Sequence, residues 1–352
     1  MADLVVAGAG MAGLAAAARA RELGASVDLH ERGERPGGSM LLSSGFIWRH
    51  RDFDSFRAEC PGGDPELQLL VHERLDAALD WLEGLGAPVE ERETGNPLTV
   101  GRRLNPRALT ELLVARGGPV RICDPLRELP RSVPVVLASG GFQGDRSLVR
   151  EHVTPEADHL MLRANRWSRG DGLRMGLGAG ASLSHGMGEF YGRNMPAPPA
   201  SVAEEDYVRL AQLYARHARV ESASGERFET RTWSEVDVVQ WTARQPRARA
   251  FYSVDEAALS ERVRERTVRE MIEAAERAGA PVDRRDGRTR VEVTAAITTT
   301  LGGLAIDTSA RAADGVFAAG TDAGGISTGG YSSGLAAALV FGRIAAESAL
   351  GL

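Results

Sequence analysis

The segment that most restricts this chain begins at its third residue. Asp3-Leu4-Val5-Val6-Ala7 is a short apolar run of the kind that forms a buried parallel strand, and it leads straight into Gly8-Ala9-Gly10-Met11-Ala12-Gly13. Leu14 to Leu23 is rich in alanine, arginine and leucine, all strong helix formers, and Gly24 ends it. Ser26-Val27-Asp28-Leu29-His30 then reads as a second strand, closing on Glu31. Strand, glycine turn, helix, strand and acid make up a βαβ unit suited to a dinucleotide. Gly8 permits the tight turn, Gly10 lets a diphosphate approach the backbone, and Gly13 lets the helix pack on the strand. The helix start, with Met11 and Ala12, offers unpaired N–H groups and a positive dipole end. Glu31 would accept hydrogen bonds from a ribose hydroxyl. In a chain with 41 glycines the glycine pattern alone is weak; its neighbours make it specific.

Composition excludes several other chemistries. Of 352 residues, 43% are hydrophobic and 26% charged, enough apolar material for a substantial core. All 42 Lys plus Arg are arginine, which removes Schiff-base catalysis, lysine-held pyridoxal phosphate and any phosphate loop needing Gly-Lys-Ser/Thr. A net charge of −6 gives no electrostatic footprint for nucleic acid. Cys60 and Cys123 lie in no pair motif, and the seven histidines show no ligand-like spacing, so neither a disulfide framework nor a metal site is expected. No apolar run approaches the ~20 residues that span a bilayer. The first strand begins so early that a targeting segment is not expected, and a soluble cytoplasmic protein is the plain expectation.

A second glycine turn follows Glu31 and Arg32: Pro36-Gly37-Gly38-Ser39, then the small-residue stretch Leu42-Ser43-Ser44-Gly45. Here the sequence resembles the FAD-dependent fumarate reductase, succinate dehydrogenase and 3-ketosteroid dehydrogenase superfamily, which carries a Gly-Gly-Ser/Asn turn after the ribose acid. Phe46 stands where that family usually has another glycine. The likeness recurs in order along the chain. Val135 to Phe142, with Ala138 and Gly140, resembles the family's strand and turn. Gly170-Asp171-Gly172 resembles its Gly-Asp-Gly segment, and Ile297 to Gly303 its Thr-hydrophobe-Gly-Gly strand. Gly315 to Gly325 resembles the closing segment, with Gly320 kept and Asp322 in place of the glutamate that binds the ribityl chain. Tyr331 to Leu350 resembles the last helix, whose start, at Gly334 and Leu335, would aim N–H groups at the flavin's N1/C2=O edge.

The resemblance implies an α/β fold: a Rossmann-like FAD-binding domain with an inserted α+β cap domain. The boundaries expected are 1–184 for the first part of the FAD domain, 185–294 for the cap and 295–352 for the second part. Ser253-Val254-Asp255-Glu256 reads as a capping box opening a helix that runs to about Ala278, and Asp64 as the N-cap of a helix from Pro65 to Leu82. Arg121 to Val135 leaves room for a loop only. Relatives that carry covalent flavin would place a histidine near Met40 and Leu41, so non-covalent FAD is expected here.

The family's catalytic positions can be taken one at a time. The substrate-binding histidine of fumarate reductases falls at Thr298 or Thr299, the arginine of the C-terminal turn at Tyr331, and, by a gapless count, the catalytic cap arginine at Glu235. A dicarboxylate would meet a tyrosine and an acid, which disfavours a fumarate-type reductase. Ketosteroid dehydrogenases instead place Gly-Tyr at the C-terminal turn, where the tyrosine polarises a ketone. Tyr331 with Ser333 would do so here, aided by the Leu335 amide. Glu235, Tyr191 and Tyr252 remain alternatives for the base. The reading is an FAD-dependent oxidoreductase, a dehydrogenase or ene-reductase acting on a C–C bond beside a carbonyl of a small, apolar substrate, with an external electron donor or acceptor. The alternative is a flavin-binding scaffold, or a subunit of a biosynthetic complex, with reduced catalysis. Gly325-Ile326-Ser327-Thr328-Gly329 spells the nucleophile elbow of α/β-hydrolases, but no histidine follows it.

Overall fold

A computed structural model describes residues 2–352. The chain divides into two compact units: residues 2–145, 165–189 and 299–352 form one, residues 146–164 and 190–298 the other. Arg146–Ala164 thus groups with the second unit, whereas the sequence boundaries left it in the first. The reason is local: Met161–Leu162 pairs in parallel with the long strand Arg288–Thr300, and the Thr154 hydroxyl donates to the Ala243 carbonyl.

The first unit is built on a six-stranded sheet. Its order is Arg311–Ala313, Val316–Ala318, Val135–Leu137, Leu4–Ala7, Val27–His30 and Val120–Arg121, parallel throughout except for the outer pair Arg311–Ala313 and Val316–Ala318. Leu4–Ala7 is fully buried, as a strand covered on both faces must be. It lies between the next strand in sequence and one more than a hundred residues on, so the crossovers part at its carboxyl end, where open α/β sheets bind ligands. The helix Met11–Glu22 follows at that point and packs on the closing helix Gly334–Ala349. Gly342 makes the crossing possible: a Cβ there would sit 2.5 Å from the Ala12 carbonyl oxygen. A smaller antiparallel sheet orders Phe46–His50, Thr99–Leu104 and Val89–Glu91. Pro65–Leu85 is a helix capped by Asp64, whose side chain accepts from the amides of Glu66 and Leu67. Residues between Arg121 and Val135 form no strand.

The second unit centres on Arg288–Thr300, paired with Arg249–Asp255 and Val282–Arg285 and flanked by Phe190–Pro196. The helix expected from Ser253 is not there. Residues 249–255 are a strand, and the helix is the shorter Val268–Arg277. Its capping box is formed by Thr267 and Glu270, and Gly279 with φ +99° follows its end. Tyr252 and Val254 point into the unit's core while Asp255 is exposed, a period of two that overrides the local cap pattern.

Candidate flavin site

The first glycine turn is held by close approaches that no side chain would allow. Gly8 has φ +109°, and a Cβ there would lie 2.2 Å from the Ala138 carbonyl oxygen; one on Gly13 would lie 1.8 Å from that of Gly8. Gly10 faces open space. It is the N-cap of Met11–Glu22 and supplies no side-chain cap. Met11, Ala12 and Gly13 are buried, yet among the described residues no acceptor meets their amides. The first amides of a helix have no acceptor within it, so these three could meet an anion from outside the chain.

Glu31 closes one side of this helix start. It is 6% exposed, and its two carboxylate oxygens accept from the amides of Ala9 at 2.8 Å and Gly33 at 2.6 Å. The second glycine turn rests on the first. The Gly37 amide donates to the Ala9 carbonyl at 2.7 Å, and a Cβ on Gly38 would come within 3.2 Å of the Gly10 Cα. The Ser39 hydroxyl accepts from the Asn165 amide, and the Gly45 carbonyl accepts from the Leu104 amide. Arg32 is bonded to Asp171 at 2.6–2.7 Å beside a cavity of about 250 Å³ that Pro125, Leu126, Arg127 and Met175 help to line.

Asp322 is fully buried, and both its oxygens are engaged. They accept from the amides of Ser139 and Gly141 and from the Ser139 hydroxyl. Burial pushes its carboxyl pKa up, against the pull of those donors. Asp322 therefore braces the turn that carries Ala138 and Gly140, and a Cβ on neighbouring Gly172 would collide with it at 2.3 Å. Gly320, with φ +65°, abuts Ala12.

The closing helix opens a second set of amides. Ser333 is its N-cap: its hydroxyl accepts from the Ala336 amide, and its carbonyl accepts from Ala336 and Ala337. Among the described residues, no acceptor meets the amides of Gly334 and Leu335. Tyr331, half-buried just ahead of them, meets the Trp48 ring edge-on with centroids 5.8 Å apart. Ser327 sits in an irregular segment with the next helix starting only at Gly334, so the strand–elbow–helix setting of a hydrolase nucleophile is absent.

The second unit holds the other candidates. Glu235, 6% exposed with φ +59°, precedes the helix Val236–Ala243. Burial pushes its pKa up to about 7, opposed by Arg193 and by the amides of Ala215 and Arg216. Tyr252 is fully buried, and its hydroxyl accepts from Asn194 at 2.8 Å. Tyr191 is half-buried with the Arg193 guanidinium 4.6 Å over its ring. Sequence reasoning passed over Arg193 and Asn194, although they adjoin Tyr191 in a run, Tyr191-Gly192-Arg193-Asn194, whose arginine and asparagine both bury.

Comparison with known proteins agrees with the fold. The chain matches the fold of a flavocytochrome c3 fumarate reductase (20% identity, TM-score 0.73, 99% of this chain and 78% of that one). It also matches 3-ketosteroid-Δ4-(5α)-dehydrogenase from Rhodococcus jostii RHA1 (20%, 0.72, 100% and 97%) and 3-ketosteroid Δ1-dehydrogenase from Sterolibacterium denitrificans (15%, 0.73, 99% and 99%). Among curated proteins no sequence matches. The sequence profile described as "FAD binding domain" matches residues 3–119 and 127–335. With nearly its whole length covered, the chain belongs to the FAD binding domain family, and FAD is its cofactor.

Proposed function

We propose that the protein is an FAD-dependent oxidoreductase that moves a hydride between flavin N5 and a C–C bond adjacent to a carbonyl of a small, apolar substrate. FAD, held without a covalent link, supplies the hydride acceptor or donor. The protein's residues do the rest. The amides of Met11, Ala12 and Gly13 take the diphosphate, Glu31 the ribose, and the amides of Gly334 and Leu335 the flavin edge where negative charge collects on reduction. The Tyr331 hydroxyl donates to the substrate carbonyl, with Ser333 holding the helix start beside it. That bond raises the acidity of the neighbouring C–H and stabilises the charge that builds on the oxygen. The base stays open among Glu235, Tyr191 and Tyr252, all in the second unit.

The observation that carries this reading is the pair of open helix starts, at Met11–Gly13 and at Gly334–Leu335, with Tyr331 immediately before the second. The two ketosteroid dehydrogenases of like fold lend it chemical plausibility. The electron partner is a separate donor or acceptor.

The test is anaerobic absorbance of the FAD-loaded protein. Candidate ketones, beginning with 4-androstene-3,17-dione, are added to the oxidised protein, and enones to protein bleached with dithionite. A substrate should bleach or restore the visible band, and Tyr331→Phe should slow that change by about 10²-fold, as loss of one donor to a developing oxyanion does. A band indifferent to every carbonyl compound in both directions would point to a flavin-binding scaffold.

A further inference from the structure

The run Gly324-Gly325-Ile326-Ser327-Thr328-Gly329-Gly330, which imitates a hydrolase elbow, leads directly into Tyr331. Four of its seven residues are glycine, Gly325 and Gly329 have positive φ, and it forms neither helix nor strand. Such a segment is costly to fix, and where it is buried its backbone must find partners elsewhere. Residues 59–68 of the same unit supply them. The Asp64 amide donates to the Gly325 carbonyl at 2.8 Å, and the Gly62 amide to the Thr328 carbonyl at 3.1 Å. Between these two, the Gln68 side chain reaches the Ile326 carbonyl. Its Nε2 donates there at 2.8 Å and to the Cys60 carbonyl at 2.9 Å. The approach leaves no slack. A Cβ on Gly63 would lie 2.1 Å from Gln68 Nε2 and 2.2 Å from the Ile326 carbonyl oxygen, and one on Gly330 1.8 Å from the Glu59 carbonyl oxygen.

Gln68 stands in the first turn of Pro65–Leu85 and is fully buried. Both Nε2 hydrogens go to carbonyls, which only accept, while Oε1 accepts from Arg57 Nη1 at 2.6 Å, a group that only donates. The amide therefore has one orientation. Arg57, on the helix Phe53–Glu59, also donates to the Gly63 carbonyl at 2.6 Å and so anchors both sides of the turn. A side chain kept here for packing alone would be apolar.

We propose that Gln68 is a positioning residue for Tyr331: its side-chain amide ties the Ile326 carbonyl to the turn at Cys60, and so fixes the glycine-rich run that sets Tyr331 at the start of the closing helix. No regular element lies between that run and Gly334, so the Tyr331 phenol is only as fixed as the backbone before it. Oxyanion stabilisation depends on such preorganisation, because a donor that must reorient at the moment of reaction loses its advantage.

This inference rests on the reading of Tyr331 as the carbonyl donor, and its test separates the two. Gln68→Met fills the space without a donor. Gln68→Glu keeps the shape and an acceptor for Arg57; ionised, it turns an oxygen toward two carbonyls, and protonated, its O–H can donate to one of them. Backbone hydrogen exchange of residues 325–335 is compared with the parent in FAD-loaded protein, without substrate, at pH 8 and pH 5.5. Gln68→Met should exchange about tenfold faster than the parent at both, as loss of a hydrogen bond predicts. Gln68→Glu should do the same at pH 8 and return toward the parent at pH 5.5. Parent-like exchange in Gln68→Met, or a Gln68→Glu no slower than Gln68→Met at pH 5.5, overturns the proposal. A second measurement needs no variant to fold. In parent protein labelled with ¹⁵N at its glutamine side chains, the Gln68 amide hydrogens should exchange at least about tenfold more slowly than those of free glutamine. Exchange at the free rate overturns it. In the reaction arm, Gln68→Met should lower kcat with little change in KM, and Gln68→Glu should regain rate at pH 5.5. If Tyr331→Phe slows the reaction and Gln68→Met does not, the positioning role falls and Tyr331 keeps its part. If the exchange pattern holds while Tyr331→Phe leaves the reaction untouched, the tie stands and the catalytic reading of Tyr331 falls.

Discussion

Burial sets the charge state of Glu235, and the consequence can be read as stability. Its pKa rises from an ordinary 4.5 to about 7 in the fold. The folded state therefore binds the proton more tightly than the unfolded chain does. Its favourable contribution is complete below pH 4.5 and is lost as pH rises through 7, a change of about 3 kcal/mol. Glu235→Gln cannot ionise and should escape that loss. Thermal unfolding of parent and variant from pH 5 to pH 8 should show the parent falling relative to the variant as pH rises; a constant difference would mean that the carboxyl keeps its ordinary pKa. The contrast with Gly8 shows what a sequence discloses at this scale. Gly8 is legible because its φ of +109° is a local demand that glycine meets. The raised pKa of Glu235 and the bracing role of Asp322 depend on partners from about 20 to 183 residues away. No local pattern marks them.

Elements were legible where the local pattern and the tertiary demand agree. Asp64 followed by Pro65 announces a helix start, and the helix Pro65–Leu85 begins there. Ser253 to Glu256 offers the same kind of announcement, but Tyr252 and Val254 have a sheet to bury against, and the segment is a strand. The real capping box, Thr267 with Glu270, lies a dozen residues on. Packing between elements gives a paired prediction on two helical glycines. A Cβ on Gly84, exposed near the end of Pro65–Leu85, would have no atom within 4 Å, whereas one on Gly342 would meet the Ala12 carbonyl oxygen at 2.5 Å. Gly84→Ala should raise unfolding stability by about 0.5–1 kcal/mol, the usual gain over glycine within a helix. Gly342→Ala should lower it by about 1–3 kcal/mol, because the closing helix must move away from Met11–Glu22. Urea titrations measure both. A neutral Gly342→Ala would show that the two helices are not in that contact.

At the scale of the whole molecule, the flavin seat proposed here joins parts of the chain that are distant in sequence. The first glycine turn, the second one at Gly37–Gly38, the Asp322-braced turn at Ser139–Gly141 and the start of the closing helix all belong to the first unit. Binding that requires all of them in place is binding to the folded state alone, and it must stabilise that state by mass action. FAD added to flavin-free protein at a hundred times its Kd should therefore add about 2.7 kcal/mol. ADP makes the sharper test. It carries the diphosphate and the adenosine but no isoalloxazine, so it can engage Met11–Gly13 and Glu31 while leaving Gly334 and Leu335 untouched. If the diphosphate seat is built into the first unit's own backbone, ADP should raise the Tm and compete with FAD. Gly13→Ala, whose Cβ would meet the Gly8 carbonyl oxygen at 1.8 Å, should abolish both effects. An ADP-insensitive Tm in a protein that still binds FAD would show that the flavin ring supplies the affinity and that the open amides at Met11–Gly13 do not hold the diphosphate.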